Sequence, residues 1–126
     1  MELKEGLSYT ASVSVSDKNS ARAVGSGGLD VFGTPSMVAL MELSAMTAVA
    51  PYLPDGNDTV GVEVNIAHIR ATPLGETVTA TATLTKIDGR KLDFDVAAND
   101  SQGEIGRGTH ARFIVDREKF MGKLRK

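Results

Sequence analysis

Residues 34–51 read TPSMVALMELSAMTAVAP, and this stretch decides the fold. Thr34-Pro35 has the form of a helix opening: a hydroxyl residue at the N-cap position, then a proline whose fixed φ and missing N–H suit the first turn. Pro51 closes a helix over Pro35 to Ala50, because the proline ring does not continue one. Met37, Val38, Leu40, Met41, Leu43, Ala45, Met46, Ala48 and Val49 surround its axis rather than lining one stripe, which predicts burial on more than one face. Glu42 is its single charged residue.

The flanks read as strands. From Leu7 to Ser16 the chain alternates, with Leu7, Tyr9, Ala11, Val13 and Val15 on one face and Ser or Thr on the other. Asp17 to Leu29 loses that period and collects Asn19, Ser20, Gly25, Ser26, Gly27 and Gly28, as a mobile loop does. No Gly-Lys-Ser/Thr follows those glycines, so they do not form a phosphate cradle. Beyond a turn at 54–57, Thr59 to Ala71 sets Val60, Val62, Val64, Ile66 and His68 on one face, with Gly61, Glu63 and Asn65 on the other. A turn at Thr72 to Gly75 leads to Thr77–Ile87, and Asp88-Gly89 gives a hairpin into Leu92–Ala98. Asn99 to Gly103 turns again, Ile105–Val115 is the last strand, and Asp116 is placed to cap a short charged helix with Phe120 and Leu124. The predicted class is α+β: one strand, a long helix, then four strands in an antiparallel meander. Such a five-stranded sheet hides its apolar face by curling around the central helix. Glu63, Lys91 and Arg107 give the sheet edges little protection, so pairing with a second copy is expected.

The 126 residues fit one domain over 1–126 with a core of its own. Fourteen Lys+Arg against 16 Asp+Glu, a formal net charge of -2, lack the basic excess that nucleic-acid binding uses. With no Cys, disulfides, Cys-ligated zinc and thiol nucleophiles are excluded, and with two His no metal site or cofactor is expected. Met1 to Ser12 is not a secretory leader and no window has the length of a membrane span, so the expectation is a cytoplasmic domain away from the membrane.

Three residue types stand out for chemistry. The Glu42 carboxylate, set among Met, Leu, Val and Ala, faces desolvation that disfavours its charged form unless donors compensate. It reads as a general base or nucleophile at a pocket, or as a carboxylate satisfied by backbone donors, a partner chain or one exposed side of the helix. Thr34 reads as the N-cap, and its hydroxyl also lies near helix N–H donors able to hold an oxyanion. His68 ends an apolar register, either bonded to backbone or acting as a base. Hydroxyl, carboxylate and imidazole together are the minimal set for attack on an acyl group. His110 faces away from Ile105, Ala111 and Phe113 and reads as a surface or edge residue, with Arg112 on its face.

Phe32-Gly33-Thr34-Pro35, Met37 to Glu42, Pro51-Tyr52-Leu53, Val60 to His68, Ala71 to Gly75 and Gly106 to Phe113 together resemble the hot-dog thioesterases of the fluoroacetyl-CoA thioesterase-like group. The resemblance covers nearly the whole chain. It implies a helix wrapped by an antiparallel sheet, a homodimer with active sites near its interface, and hydrolysis of acyl-CoA thioesters. It carries the catalytic Thr, Glu and His onto Thr34, Glu42 and His68. Substrate contacts fall on Gly61 and Arg112, with Val38 on the helix between Thr34 and Glu42. The fluoroacetyl-specific enzyme gates its pocket with phenylalanines before the helix, whereas Asp17 to Leu29 has no aromatic and carries Gly25 and Gly28. That departure implies a more open pocket for other short acyl groups. A binding module for acyl-CoA or acyl carriers that keeps the pocket without turnover is the alternative. A hydratase-like reading ranks last, since no Asp stands beside His68 in the sequence pattern.

Overall fold

In the computed structural model, which describes residues 2–125, helix α1 spans Thr34–Val49 and a 3-10 turn, Ala50–Tyr52, follows it. Gly33, not Thr34, is the N-cap: it holds the extended φ of -75° and ψ of 141°, and its carbonyl accepts the first helical bond from Met37 N–H. Thr34 is thus the first helical residue, and its hydroxyl makes no cap bond. Met37, Leu40, Met41, Ser44, Ala45, Ala48 and Val49 are buried, an i, i+3, i+4, i+7 stripe. A single chain therefore covers one side of the helix rather than several, and Leu43 on the far side stays 44% exposed.

The strands are β1 (Ser8–Ser14), β2 (Asn57–His68), β3 (Thr77–Asp88), β4 (Lys91–Asp100) and β5 (Gly103–Asp116), followed by the helix α2 (Arg117–Leu124). They form one antiparallel sheet in the order β1-β3-β4-β5-β2. Only β3, β4 and β5 are a meander; β2 crosses to the far edge and pairs with β5, which corrects the expected run of four consecutive neighbours. Local pattern sets strand identity, but pairing order depends on contacts distant in the chain. Lys91 and Arg107 consequently sit on inner strands, and of the three presumed edge guards only Glu63 lies on an edge.

The helix packs on the sheet through Phe94, Leu92, Leu84, Val78 and Ile105, with Phe32 of the preceding loop in the same core, all nearly inaccessible to solvent. Along β1 only Ala11 of the strand's apolar positions is buried, and Tyr9 is 44% exposed, because β1 is the other edge. The loop before α1 is folded down rather than loose: Ala21 N–H bonds Val31 C=O, Phe32 N–H bonds Thr72 C=O and Gly33 N–H bonds Asn19 C=O. Asp116 caps α2 as expected, accepting from Lys119 N–H at 3.0 Å.

A register shift between Gly61 and Glu63 breaks the period of β2. Cross-strand partners share a face, so Gly61, paired with Arg112, and Val64, paired with the buried His110, both look toward the helix, while Val60 turns outward beside Phe113. The strict alternation read from the sequence placed Gly61 and His68 on opposite faces; the bulge brings both to the helix side. No helix among the described residues is long and apolar enough to cross a membrane.

Candidate active site

Thr34 and His68 meet at the N-terminus of α1. Thr34 Oγ1 lies 2.8 Å from His68 Nδ1. The other ring nitrogen, Nε2, is buried and has no hydrogen-bond partner among the described residues. Burial lowers the His68 pKa below its ordinary value, against a smaller opposing contribution from the Arg70 backbone, so the ring is neutral near pH 7. A hollow of about 290 Å³ opens over the pair, walled also by Ala21, Ser26, Phe32 and Ile69.

Glu42 lies two turns further along α1 and belongs to a second cluster. Its side chain keeps 39% of its surface exposed, with Oε2 3.6 Å from Arg112 Nη1 and 3.9 Å from His110 Nε2. The expected isolation in hydrocarbon is therefore not found. Thr34, Val38 and Glu42, at i, i+4 and i+8, run along the flank of the buried stripe, where the carboxylate reaches basic partners on β5. Half-buried Val38 sits between the two clusters.

Arg112 and His110 are buried, at 5% and 2% exposure, which corrects the surface reading of His110. The reason is again the face of β5: even-numbered residues from Gly106 to Arg112 look toward the helix. Gly106 was the signal for it, since a Cβ there would stand 2.6 Å from Met37 Sδ. Arg112 donates from Nε to Thr59 Oγ1 at 2.8 Å and from Nη2 to Thr59 C=O at 2.9 Å. Its Nη1 approaches His110 Nε2 at 3.2 Å, and because a guanidinium only donates, Nε2 must accept and Nδ1–H donates to Glu63 C=O at 2.7 Å. His110 is thus a neutral tautomer, in line with a pKa lowered first by burial. Gly61 closes the cluster: a Cβ on it would lie 2.5 Å from Glu42 Oε2.

Within one chain, then, the structure brings Thr34 to His68, and Glu42 to Gly61, His110 and Arg112, but it does not join the two sets. Eight helical residues separate Thr34 from Glu42 by about 12 Å, and seven strand residues separate Gly61 from His68 by about 23 Å. Among the described residues no group of three or more His, Asp or Glu gathers as metal ligands do.

The family model described as FlK, fluoroacetyl-CoA-specific thioesterase, matches residues 15–118. The chain belongs to this thioesterase family. Over 96 residues this thioesterase is 46% identical to the fluoroacetyl-CoA thioesterase of Streptantibioticus cattleyicolor, covering 76% of this chain and 69% of that protein. A solved structure of the fluoroacetyl-CoA thioesterase FlK superimposes with a TM-score of 0.93 at 37% identity, over 99% of this chain and 97% of that one. A thioesterase superfamily member from Thermus thermophilus follows the same course at 26% identity, with a TM-score of 0.89 over 97% and 90% of the two chains. The sheet and its packed helix are the hot-dog fold.

Proposed function

We propose that this thioesterase hydrolyses a short acyl-CoA thioester at a site completed by a second copy of the chain. The observation that carries the reading is the Thr34–His68 pair, with its hydroxyl 2.8 Å from one ring nitrogen and the other buried without a partner. A neutral ring with Nδ1 as acceptor carries its proton on Nε2. Thr34, or a water it aligns, attacks the carbonyl carbon, and its proton passes to Nδ1. The C–S bond then breaks, and the proton returns to the departing CoA thiolate; where Thr34 was the nucleophile, a water activated by the same imidazole then hydrolyses the acyl-threonine, releasing the acid and restoring the hydroxyl. The first-turn amides of α1 at Thr34 and Ser36 stand where the oxyanion forms.

The unpartnered Nε2–H calls for an acceptor, and Glu42 is the carboxylate the chain offers. Edge strand β2 exposes Val62 at 55% and Val64 at 44%. Antiparallel self-pairing of β2 about a two-fold axis between Val64 and Asn65 sets Gly61 opposite the partner's His68. Glu42, packed over Gly61, would then orient that imidazole. This homodimer supplies both the cover for the valines and the third member of the triad. The segment Asp17 to Leu29, which contains no aromatic side chain, leaves the hollow open to short acyl groups other than fluoroacetyl.

Release of free thiol from acetyl-, propionyl- and fluoroacetyl-CoA tests the activity; saturable binding without thiol release would leave a binding module instead. Mixing two inactive variants tests the shared site. Thr34→Ala and Glu42→Gln chains, exchanged at equal amounts, form half heterodimers with one intact site each, so about a quarter of wild-type turnover should return. A mixture as inactive as its parents would place all three groups in one chain's site.

A further inference from the structure

We propose that Asp100 is a positioning residue for the Thr34–His68 pair, acting through Thr72 and Arg70, an inference that rests on the thioesterase reading above. Asp100 ends β4, and its side chain is 1% exposed although none of its hydrogen bonds goes to Thr34, His68 or Glu42. Oδ1 accepts from Arg70 Nη2 at 2.7 Å and from Gln102 N–H at 2.8 Å, and Oδ2 accepts from the Thr72 hydroxyl at 2.8 Å. An ionised carboxylate accepts on both oxygens and donates nothing, so it suits a place where a guanidinium, a hydroxyl and an amide all point inward. Burying a charge opposes folding unless donors compensate. Closing the turn at 101–102 needs one acceptor oxygen. The other two bonds go to residues 70 and 72, in the segment that follows His68.

That segment has no strand ladder to hold it, since residues 69–72 lie between β2 and β3. Ile69 N–H and Arg70 N–H share Ile105 C=O at 2.7 and 3.2 Å, and Arg70 Nη2 also donates to Gly103 C=O at 3.0 Å. Thr72, fully buried, passes the restraint on: its carbonyl accepts from Phe32 N–H at 2.8 Å, two residues before Thr34. With the 2.8 Å contact between Thr34 Oγ1 and His68 Nδ1, the segments 32–34 and 68–72 close into a ring. Asp100 braces the longer side of that ring from β4. Without the brace residues 69–72 are free to shift, and the distance they change is the one between hydroxyl and imidazole. A displacement of about 1 Å in such a pair lowers rate by up to about a hundredfold.

Thiol release from acetyl-CoA by Asp100→Ala, Asp100→Asn, Thr72→Val and Thr72→Ser tests the brace, with folding checked by circular dichroism. Glu76→Ala is the control: Glu76 Oε1 accepts from Ser101 N–H and Oγ, tying the same β4–β5 hairpin to the chain before β3, but it stands outside the ring. Asp100→Asn keeps an acceptor for Arg70 and Gln102 and turns its NH₂ to the Thr72 hydroxyl. Thr72→Ser keeps the hydroxyl and loses a methyl, whereas Thr72→Val keeps the volume and loses the hydroxyl. We expect kcat to fall about ten- to a hundredfold in Asp100→Ala and Thr72→Val with KM within about twofold, and to stay within about threefold in the other three variants. A packing role predicts the reverse order at position 72, with Val the better substitute. Where Asp100→Ala does not fold, the two Thr72 variants decide; if Thr72→Val does not fold either, these residues serve folding alone and the proposal fails.

A second measurement needs no turnover. His68 and His110 are the chain's two histidines, and burial keeps both rings largely uncharged at about pH 7.5. The rate at which diethyl pyrocarbonate modifies each, read by peptide mapping, therefore reports access to the ring. The ratio of His68 to His110 modification should rise at least about threefold in Asp100→Ala and Thr72→Val and stay within about twofold of wild type in the rest, because a local opening exposes one ring and a general loosening exposes both. Wild-type kcat in folded Thr72→Val, equal losses in Thr72→Val and Thr72→Ser, or an unchanged modification ratio would overturn the assignment while leaving the thioesterase intact. If the wild type releases no thiol, the thioesterase reading fails, and the modification ratio decides the brace by itself: a rise in Thr72→Val supports it, and no change refutes it.

Discussion

Replacing Gly61 with Ala puts a methyl carbon 2.5 Å from Glu42 Oε2, 3.2 Å from His110 Cε1 and 3.4 Å from Arg112 Nη1. A carbon–oxygen contact settles near about 3.3 Å, so the carboxylate must retreat by about 0.8 Å. The backbone does not resist the change, because Gly61 is outside the left-handed region. Glu42 is the flexible end of a side chain that is 39% exposed, so it moves cheaply. Restricting the unfolded chain offsets part of any strain by about 0.4–1 kcal/mol. The folded protein should survive, with Tm within about 3 °C of wild type. Turnover should not, because a displacement approaching 1 Å in a positioned group lowers rate by up to about a hundredfold. We expect kcat/KM for a short acyl-CoA to fall about ten- to a hundredfold, a loss of roughly 1.4–2.7 kcal/mol in transition-state stabilisation. Thiol release measured alongside thermal unfolding checks both halves. Wild-type kcat/KM in a folded variant would show that the Glu42 position is not coupled to the chemistry, and an unfolded variant would show that Gly61 serves packing instead.

Thr34→Ser should keep a measurable part of the activity, and Thr34→Ala should lose about 10²–10⁴-fold, both read as steady-state thiol release; equal losses would mark Thr34 as a packing residue. His68 and His110 both sit below the free imidazole value of 6.5 because burial penalises the charged ring. The unfolded chain thus binds more protons than the folded one between the lowered values and 6.5, so their contribution is fully present above that pH and is lost as pH falls through the window. Tm should be level above about pH 7 and decline below about pH 6.5, less steeply in His110→Gln; a Tm that rises on acidification would contradict this. Asp100, with a side chain 1% exposed, accepts from Arg70 Nη2, Thr72 Oγ1 and Gln102 N–H. Burial alone would raise its pKa, but these donors outweigh burial and hold it below the ordinary value. Asp100→Ala should cost about 2–3 kcal/mol in urea unfolding, less than the roughly 3–5 kcal/mol for breaking a fully buried pair, since Arg70 is 37% exposed and rehydrates.

Helix and strand identity, and the residue types of the site, follow from local pattern. The apolar run between Pro35 and Pro51 can only be a packed helix, period-two alternation marks each strand, and the mix of Thr34, Glu42 and His68 with the flanking motifs points to acyl transfer. Tertiary structure decided what depends on residues far apart in the chain. The placement of β2 beside β5 moved Lys91 and Arg107 off the edges. A bulge at Gly61 broke the alternation, so that the glycine turned to the helix and Glu42 found Arg112 instead of hydrocarbon. His110 was hidden from sequence reading for the same reason: which face of β5 is inside depends on where Met37 presses against Gly106, a contact across 69 residues. Thr34 lost its capping role once Gly33 took the extended conformation, and its hydroxyl turned to His68. Side-chain identity is local, but a shared cavity is a sum of pairings that no single segment contains.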